Sequence, residues 1–495
     1  MNRLNALILS LLMMSVAISA IAQESDNALK FKVEGVSSDT IYLANYLGNK
    51  LYYNDTTYAD AAGNFSFEGK SYEDGGKYAV VLPGPKYFDI LVTGEPLEMH
   101  TTTRDMIGDM EVVQSEDNRI FFEYINFIRE KQQERGPLEE VLNDSTLTRT
   151  QKRKAEKAFS ELNNEVINYQ KELIENHGDK LVGKMLKMTQ DVRIPEEVPE
   201  GIEDTKQWQY NYYKNHYWDN TDLNDPRLVR DQQFHTLLDK YFNKVLPQTP
   251  DTICQRGPEL AETVRGNEEM FKYVVHFITF NAGASKIMCM DKAFVCMVNK
   301  YYKTGEATWM KEDKLAELIE SAESKENTLC GEVVPDITLP DTTGQNWVSL
   351  YDLNAEYTAI VIWESSCGHC KKEMPKLAEF YEKWKDKGVE VYAIGNEFEN
   401  EDWMKFIRKK GLTEWINVSD NPEINERDSA MVLIQMGITN IKSLNFRSTF
   451  DVQSTPKIYL IDKDKKIVAK QLSTEQLDEM MTNLIGDGQA RKEEE

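Results

Sequence analysis

The chain has 495 residues, with 83 acidic against 58 basic side chains and a formal net charge of −25. A surface of that sign repels nucleic acid and anionic lipid, which argues against both as partners and is accounted for by solubility alone. The length is too great for one ordinary domain and predicts about three.

Residues 1–22 read as a secretory signal peptide: a basic start at Met1-Asn-Arg3, an apolar run from Leu4 to Ile18, and a small-residue cleavage pattern at Ala20-Ile-Ala22. The run is short for a membrane span, and no cysteine follows the cleavage pattern to take a lipid anchor. No other apolar stretch approaches membrane-spanning length. The mature chain is therefore expected in an oxidising compartment, with no membrane span. From 26 to 113, short alternating runs broken by glycine predict an antiparallel β-sandwich. Its strands are expected at Thr40–Ala44, Asn64–Glu68, Lys77–Leu82 and Tyr87–Val92, with a hairpin turn at Ala61-Ala-Gly63-Asn64. His100 stands alone there and reads as a surface residue.

The period changes near Ser115. Ile120, Tyr124 and Ile128 recur at helical spacing, as do Leu162, Val166, Tyr169 and Leu173, and this second helix is expected to stop at His177-Gly178. Further helices are predicted over Phe234–Leu246, Pro258–Ala282 and Lys286–Tyr302, giving an all-α domain over 115–327. The aromatic run Trp208 to Trp218 offers a peptide- or glycan-binding surface, but such rings at helical spacing belong by default to packing. Met288-Cys289-Met290, Cys296-Met297 and His276 suggest a soft copper site, against which stands the burial usual for methionine and cysteine. Cys254, Cys289, Cys296 and Cys330 allow three disulfide connectivities or free buried thiols, and spacing does not choose among them.

The strongest signal lies in Trp363-Glu-Ser-Ser-Cys367-Gly368-His369-Cys370-Lys-Lys-Glu373-Met-Pro375. An apolar strand, Tyr357 to Trp363, leads into the two cysteines, and a helical pattern from Lys371 to Lys387 follows them. Cys367 then sits at a helix N-terminus, where unpaired N–H groups and the dipole favour a thiolate. A zinc site would need a second ligand pair at suitable spacing, and the remaining cysteines form none, so no metal is assigned. Downstream, Thr455-Pro456 opens another apolar run, Lys457 to Ile461. Strand, CxxC, helix and a proline-led strand make the thioredoxin arrangement.

The segment Cys-Gly-His-Cys-Lys-Lys-Glu-Met-Pro closely resembles the active-site segment of the TlpA/ResA-like envelope thiol–disulfide oxidoreductases. Gly331 to Gly344 resembles that family's added N-terminal hairpin, and Val389–Asn396 fits its next strand. The resemblance covers about Cys330 to Leu484 and implies an α/β thioredoxin-like domain, with boundaries expected at 330–487. The β-rich and helical segments before it are similar to uncharacterised domains often fused ahead of such thioredoxins. The stretch from Cys370 to Pro456 is longer than a minimal thioredoxin needs, and an extra helix is expected around Asn421 to Ser443.

The resemblance implies Cys367 as attacking thiolate, Cys370 as resolving thiol, and Glu373 as a proton relay to Cys370, with an ordinary solvated helix residue as the alternative for Glu373. Many thioredoxins carry a buried acid six residues before the first cysteine, where this chain has Val361, which adds weight to Glu373. Gly368, His369 and Trp363 are expected to tune the site, His369 by lowering the thiolate's energy through its charge. Pro456 is expected to be cis, leaving the Thr455 backbone open to a substrate strand. No cofactor beyond the Cys367–Cys370 pair is implied. The implied partners are cysteine-containing envelope proteins and a membrane thiol reductase as electron donor, in a bacterial periplasm, with cytochrome c maturation as one setting. The Gly-His pair also resembles disulfide isomerases, so the direction of exchange stays open. An envelope binding or chaperone-like protein with secondary redox activity is the other functional class. A disordered acidic tail is expected over 488–495.

Overall fold

The computed structural model describes residues 28–69, 72–84, 86–396, 400–420 and 425–493, so the expected signal peptide lies outside the described residues. The chain divides into two compact units, Met1–Leu246 with Glu262–Tyr273, and Pro247–Ala261 with Val274–Glu495. The helical segment expected at 115–327 thus contributes to both units.

In the first unit, eight strands run as β1 (Leu29–Glu34), β2 (Thr40–Leu47), β3 (Lys50–Tyr58), β4 (Asn64–Phe67), β5 (Gly76–Leu82), β6 (Lys86–Val92), β7 (Leu97–Thr102) and β8 (Glu111–Gln114). They form two four-stranded sheets, ordered β4-β1-β7-β8 and β3-β2-β5-β6, antiparallel except for the β1–β7 pair. Phe31, Phe65 and Met99 from one sheet meet Leu43, Val80 and Ile90 from the other in a single core. The turn at Ala61–Asn64 is not a hairpin: β3 and β4 belong to different sheets. The Asp60 carboxylate accepts the Ala62 and Asn64 amides, both at 2.8 Å, and folds this corner. Gly63 is required there, because a Cβ would lie 2.3 Å from the Val33 carbonyl oxygen.

Helices follow as α1 (Glu116–Asn143), α2 (Arg149–His177), α3 (Leu181–Met188), α4 (Thr205–Asn215), α5 (Gln232–Lys240), α6 (Pro250–Thr263), α7 (Glu268–Ala284), α8 (Asp291–Met297) and α9 (Glu312–Glu326). Thr148 and Gln151 make a reciprocal capping box at the start of α2. The single helix expected over Pro258–Ala282 is two, α6 and α7. Gly266-Asn267, poor helix formers, separate them, and the Asn267 amide turns back to the Val264 carbonyl at 2.9 Å. In the aromatic run Trp208 to Trp218, Tyr217 is buried against Trp218 and Tyr241, whereas α4 buries none of its residues.

In the second unit, Cys254 pairs with Cys296 and Cys289 with Cys330. Cys289 and Cys296, the two thiols of the copper alternative, are thereby both held in disulfides and unavailable as thiolate ligands. The remaining elements are β9 (Thr338–Pro340), β10 (Trp347–Ser349), β11 (Tyr357–Trp363), α10 (Gly368–Trp384), β12 (Val389–Gly395), α11 (Asn400–Lys410), β13 (Ile416–Ser419), α12 (Arg427–Gln435), α13 (Ile441–Leu444), α14 (Phe446–Thr449), β14 (Lys457–Asp462), β15 (Ile467–Lys470) and α15 (Thr474–Glu493). The five-stranded sheet has the order β13-β12-β11-β14-β15, parallel across β11, β12 and β13 and antiparallel across β14 and β15. The run Tyr357–Trp363 is almost wholly apolar because helices cover both faces of a central strand. Leu377, Phe380 and Trp403 pack on one face, and Leu444, Phe446 and Phe450 on the other. The β9–β10 hairpin is held by the Tyr392 hydroxyl, which donates to the Ile337 and Val348 carbonyls at 2.8 and 2.9 Å. The expected extra helix is α12. α15 is described through Glu493.

Charges are buried where α8 and the residues after α9 meet the sheet edge. Lys470 on β15, with only 6% of its side chain exposed, pairs with Asp291 of α8 and donates to the Thr328 carbonyl at 2.6 Å. Breaking a buried pair from one side is costly, whereas replacing the charge with an apolar group of similar volume costs less. Asp291→Ala, which strands the Lys470 ammonium, should lower the stability of this unit by ~3–5 kcal/mol, and Lys470→Met by clearly less. Urea denaturation followed by tryptophan fluorescence checks the order of the two variants.

Candidate active site

Cys367 is the N-cap residue of α10, with extended backbone, and its Sγ accepts the Cys370 N–H at 3.4 Å. It is partly exposed, whereas Cys370, one turn on, is fully buried beside Trp363 and Met374. Both are free thiols in this structure. The geometry places the two sulfurs in opposite electrostatic settings. Burial works against the Cys367 thiolate, but N–H groups of Cys370 and His369 and the Thr455 hydroxyl outweigh it, leaving the thiol below its ordinary value. Burial of Cys370 dominates there and pushes that thiol up to about 12.

The Thr455–Pro456 peptide is cis, as expected. It brings the Thr455 carbonyl within 3.3 Å of Cys367 Sγ, which donates to it, and the Thr455 hydroxyl lowers both thiols. Gly368 is exposed, and a Cβ there would meet nothing within 4 Å, so the space above the motif is open to a substrate. His369 is exposed as well. Its backbone N–H is the group of that residue that reaches Cys367. Trp363 lies fully buried beneath the site, with its ring 5.2 Å from Phe406, away from any solvent-borne substrate.

Glu373 makes its polar contacts with the start of α15 and with its own helix. Its carboxylate accepts the Thr474 hydroxyl at 2.8 Å and the Lys376 ammonium at 2.9 Å. Although burial works against its charge, these bonds hold it below the usual carboxylate range. An ionised carboxylate at the start of α15 is a helix anchor, favoured by the unpaired N–H groups there. The residue that sequence reasoning passed over is Glu364, directly after Trp363. Its amide is directed at Cys370, its carbonyl accepts the Cys367 N–H at 3.3 Å, and its carboxylate is held by the Asn396 amide. Its place at the end of a buried strand, three residues before Cys367, is the signal that could have found it.

A dithiol at a helix N-terminus facing a cis-proline loop defines a thioredoxin-fold redox protein. Residues 330–470 match the AhpC/TSA family, and residues 147–325 match a domain of unknown function, DUF5106. The thiol–disulfide oxidoreductase ResA of Bacillus thuringiensis (strain Al Hakam) is 27% identical over 161 residues, which is 32% of this chain and 79% of the relative. ResA of Bacillus subtilis (strain 168) is 25% identical over 167 residues, 33% of this chain and 80% of that one. Among solved structures, a domain of a possible thiol-disulfide isomerase from Cytophaga hutchinsonii ATCC 33406 shares 34% identity, covering 33% of this chain and 99% of that chain, with a TM-score of 0.27. A thioredoxin-like protein from Bacteroides caccae ATCC 43185 shares 18% identity over 59% of this chain and 98% of its own, with a TM-score of 0.42. The C-terminal domain is thus a thioredoxin-like thiol–disulfide oxidoreductase domain homologous to ResA.

The backbone origin of the Cys367 shift can be separated from side-chain charge. His369→Ala keeps the N–H that faces Cys367, whereas His369→Pro removes it at a position near the helix start that tolerates proline. The Cys367 thiol pKa, followed by thiolate absorbance against pH, should rise more in the proline variant than in the alanine variant. Equal shifts in both variants would place the effect in the imidazole.

Proposed function

We propose that this protein is a periplasmic thiol–disulfide oxidoreductase that reduces disulfides in envelope proteins. The observation that carries this reading is the inequality of the two thiols: one is partly exposed and stabilised as a thiolate, the other buried and held protonated. The Cys367 thiolate attacks one sulfur of a substrate disulfide, forming a mixed disulfide, and the other substrate sulfur leaves as a thiolate and takes a proton. Cys370 then gives up its proton and attacks Cys367 Sγ. The second substrate sulfur is released as a thiol, and the chain keeps the Cys367–Cys370 disulfide. Two electrons from an external thiol reductant, a membrane thiol reductase in this reading, restore the dithiol.

An extracytoplasmic setting is supported by the signal-like first residues and by the Cys254–Cys296 and Cys289–Cys330 disulfides, which persist in oxidising compartments. Among the described residues no helix is long and apolar enough to cross a membrane. The substrates proposed are envelope proteins with closely spaced cysteine pairs, apocytochromes c among them. They would be bound through the open space above Gly368 and the Thr455 backbone.

With dithiothreitol as reductant the purified protein should accelerate insulin reduction, and Cys367→Ser should abolish it. Cys370→Ala should accumulate a mixed disulfide with substrate, visible on a non-reducing gel. Wild-type turnover in Cys367→Ser would contradict the assigned attacking thiol.

A further inference from the structure

The loop that presents Thr455 to the two cysteines begins at Asp451, a residue with unusual backbone and unusual contacts. Asp451 has φ +47°, a left-handed conformation that aspartate enters more readily than most residues bearing a side chain. Its carboxylate, 13% exposed, accepts the Ser324 hydroxyl at 3.4 Å and the Gln453 amide at 3.0 Å. It lies 3.5 Å from the Lys325 ammonium and 3.8 Å from that of Lys457. The Asp451 carbonyl accepts a hydrogen bond from the buried Lys457, the residue directly after Pro456. One residue earlier, the Phe450 carbonyl accepts the Tyr459 hydroxyl at 2.7 Å. Both ends of the segment that carries Thr455 and Pro456 are therefore pinned, and the pin at Asp451 is shared with Ser324 and Lys325 in the last turn of α9. Those two residues lie before the thioredoxin-like domain in sequence.

We propose that Asp451 is a positioning residue of the redox site, fixing the loop that sets Thr455 against Cys367 and Cys370 and tying that loop to helix α9. The inference rests on the reading of Cys367 as the attacking thiol. It gives the helical segment a part in the chemistry: α9 sets the stiffness of the loop, and the loop sets how firmly the Thr455 hydroxyl meets the two sulfurs. A substrate strand pairing beside Pro456 would bind to a backbone already held in place, with less ordering to offset on binding.

The test is a thiolate titration of the full chain, read by ultraviolet absorbance and by the rate of iodoacetamide alkylation at Cys367. Asp451→Gly relieves the left-handed backbone but removes every carboxylate contact. It should move the Cys367 titration to higher pH and slow alkylation at neutral pH ~3- to 10-fold, the worth of a weakened hydrogen bond to a charged sulfur. Asp451→Asn tolerates the same backbone and still accepts from Ser324 and Gln453, so its curve should lie between those of wild type and Asp451→Gly. The double variant Ser324→Ala with Lys325→Met, remote in sequence from both thiols, should move the curve in the same direction as Asp451→Gly. A wild-type titration curve in Asp451→Gly overturns the proposal. Should Asp451→Gly fold poorly, a wild-type curve in the Ser324/Lys325 double variant overturns it by the same criterion. Neither readout depends on turnover, so a wild-type protein that fails to reduce insulin would contradict the proposed activity and not this positioning role.

Discussion

The N–H of Cys370 pointing at Cys367 Sγ is the contact around which the redox site is arranged. It exists because α10 begins at the cysteine pair, and α10 begins there because a buried strand delivers the chain to that point and stops. The same helix geometry that exposes the first sulfur to open N–H groups carries the second one turn down, into the apolar layer between helix and sheet. One backbone feature thus makes two identical side chains chemically unequal. The cis-proline loop completes the arrangement from the opposite side, supplying a hydroxyl to both sulfurs and a carbonyl to the outer one.

Around this site the structure departs from a bare thioredoxin fold in how it handles charge. Lys457, at the start of β14, and Lys470, on the edge strand β15, are both buried, and burial lowers both from the usual lysine range, Lys457 to about 8. Their partners, Asp291, Asp451 and the Thr328 carbonyl, come from α8, from the residues after α9 and from the loop before β14. An uncompensated buried ammonium is expensive, so these contacts make the second unit's helices part of the redox domain's own stability. The Cys289–Cys330 disulfide joins the same two regions covalently. Glu373 belongs to this structural set too, as the anchor of α15.

The redox centre was legible in the sequence because its signals are local. A CxxC between an apolar run and a helical pattern, and a proline before a second apolar run, need no tertiary knowledge to interpret. The β-rich and helical segments were legible as types, since period-2 and helical repeats survive without context, but their joints were not. Gly266-Asn267 breaks the helix expected across Pro258–Ala282, a local signal that the apolar residues on either side mask. α9 carries helical spacing in Leu315, Leu318, Ile319 and Ala322, a pattern diluted by the charged residues between them. The position of Glu373 three residues after Cys370 is visible as a motif, whereas its partner Thr474 is set by how α15 docks. The pairing of the four remaining cysteines, and the buried lysines with their distant aspartates, depend on contacts between residues far apart in sequence. No local pattern encodes them.

The central claim is that burial and backbone hydrogen bonding, more than side-chain charge, divide the labour between the two thiols. It is tested most directly by titrating the full chain with its cysteines labelled at Cβ with carbon-13, using Cys367→Ser and Cys370→Ser to assign the signals. The account predicts two separate thiol transitions, Cys367 below the ordinary cysteine value and Cys370 far above it, near about 12. Cys370 titrating first, or both thiols titrating together at the ordinary value, would contradict it.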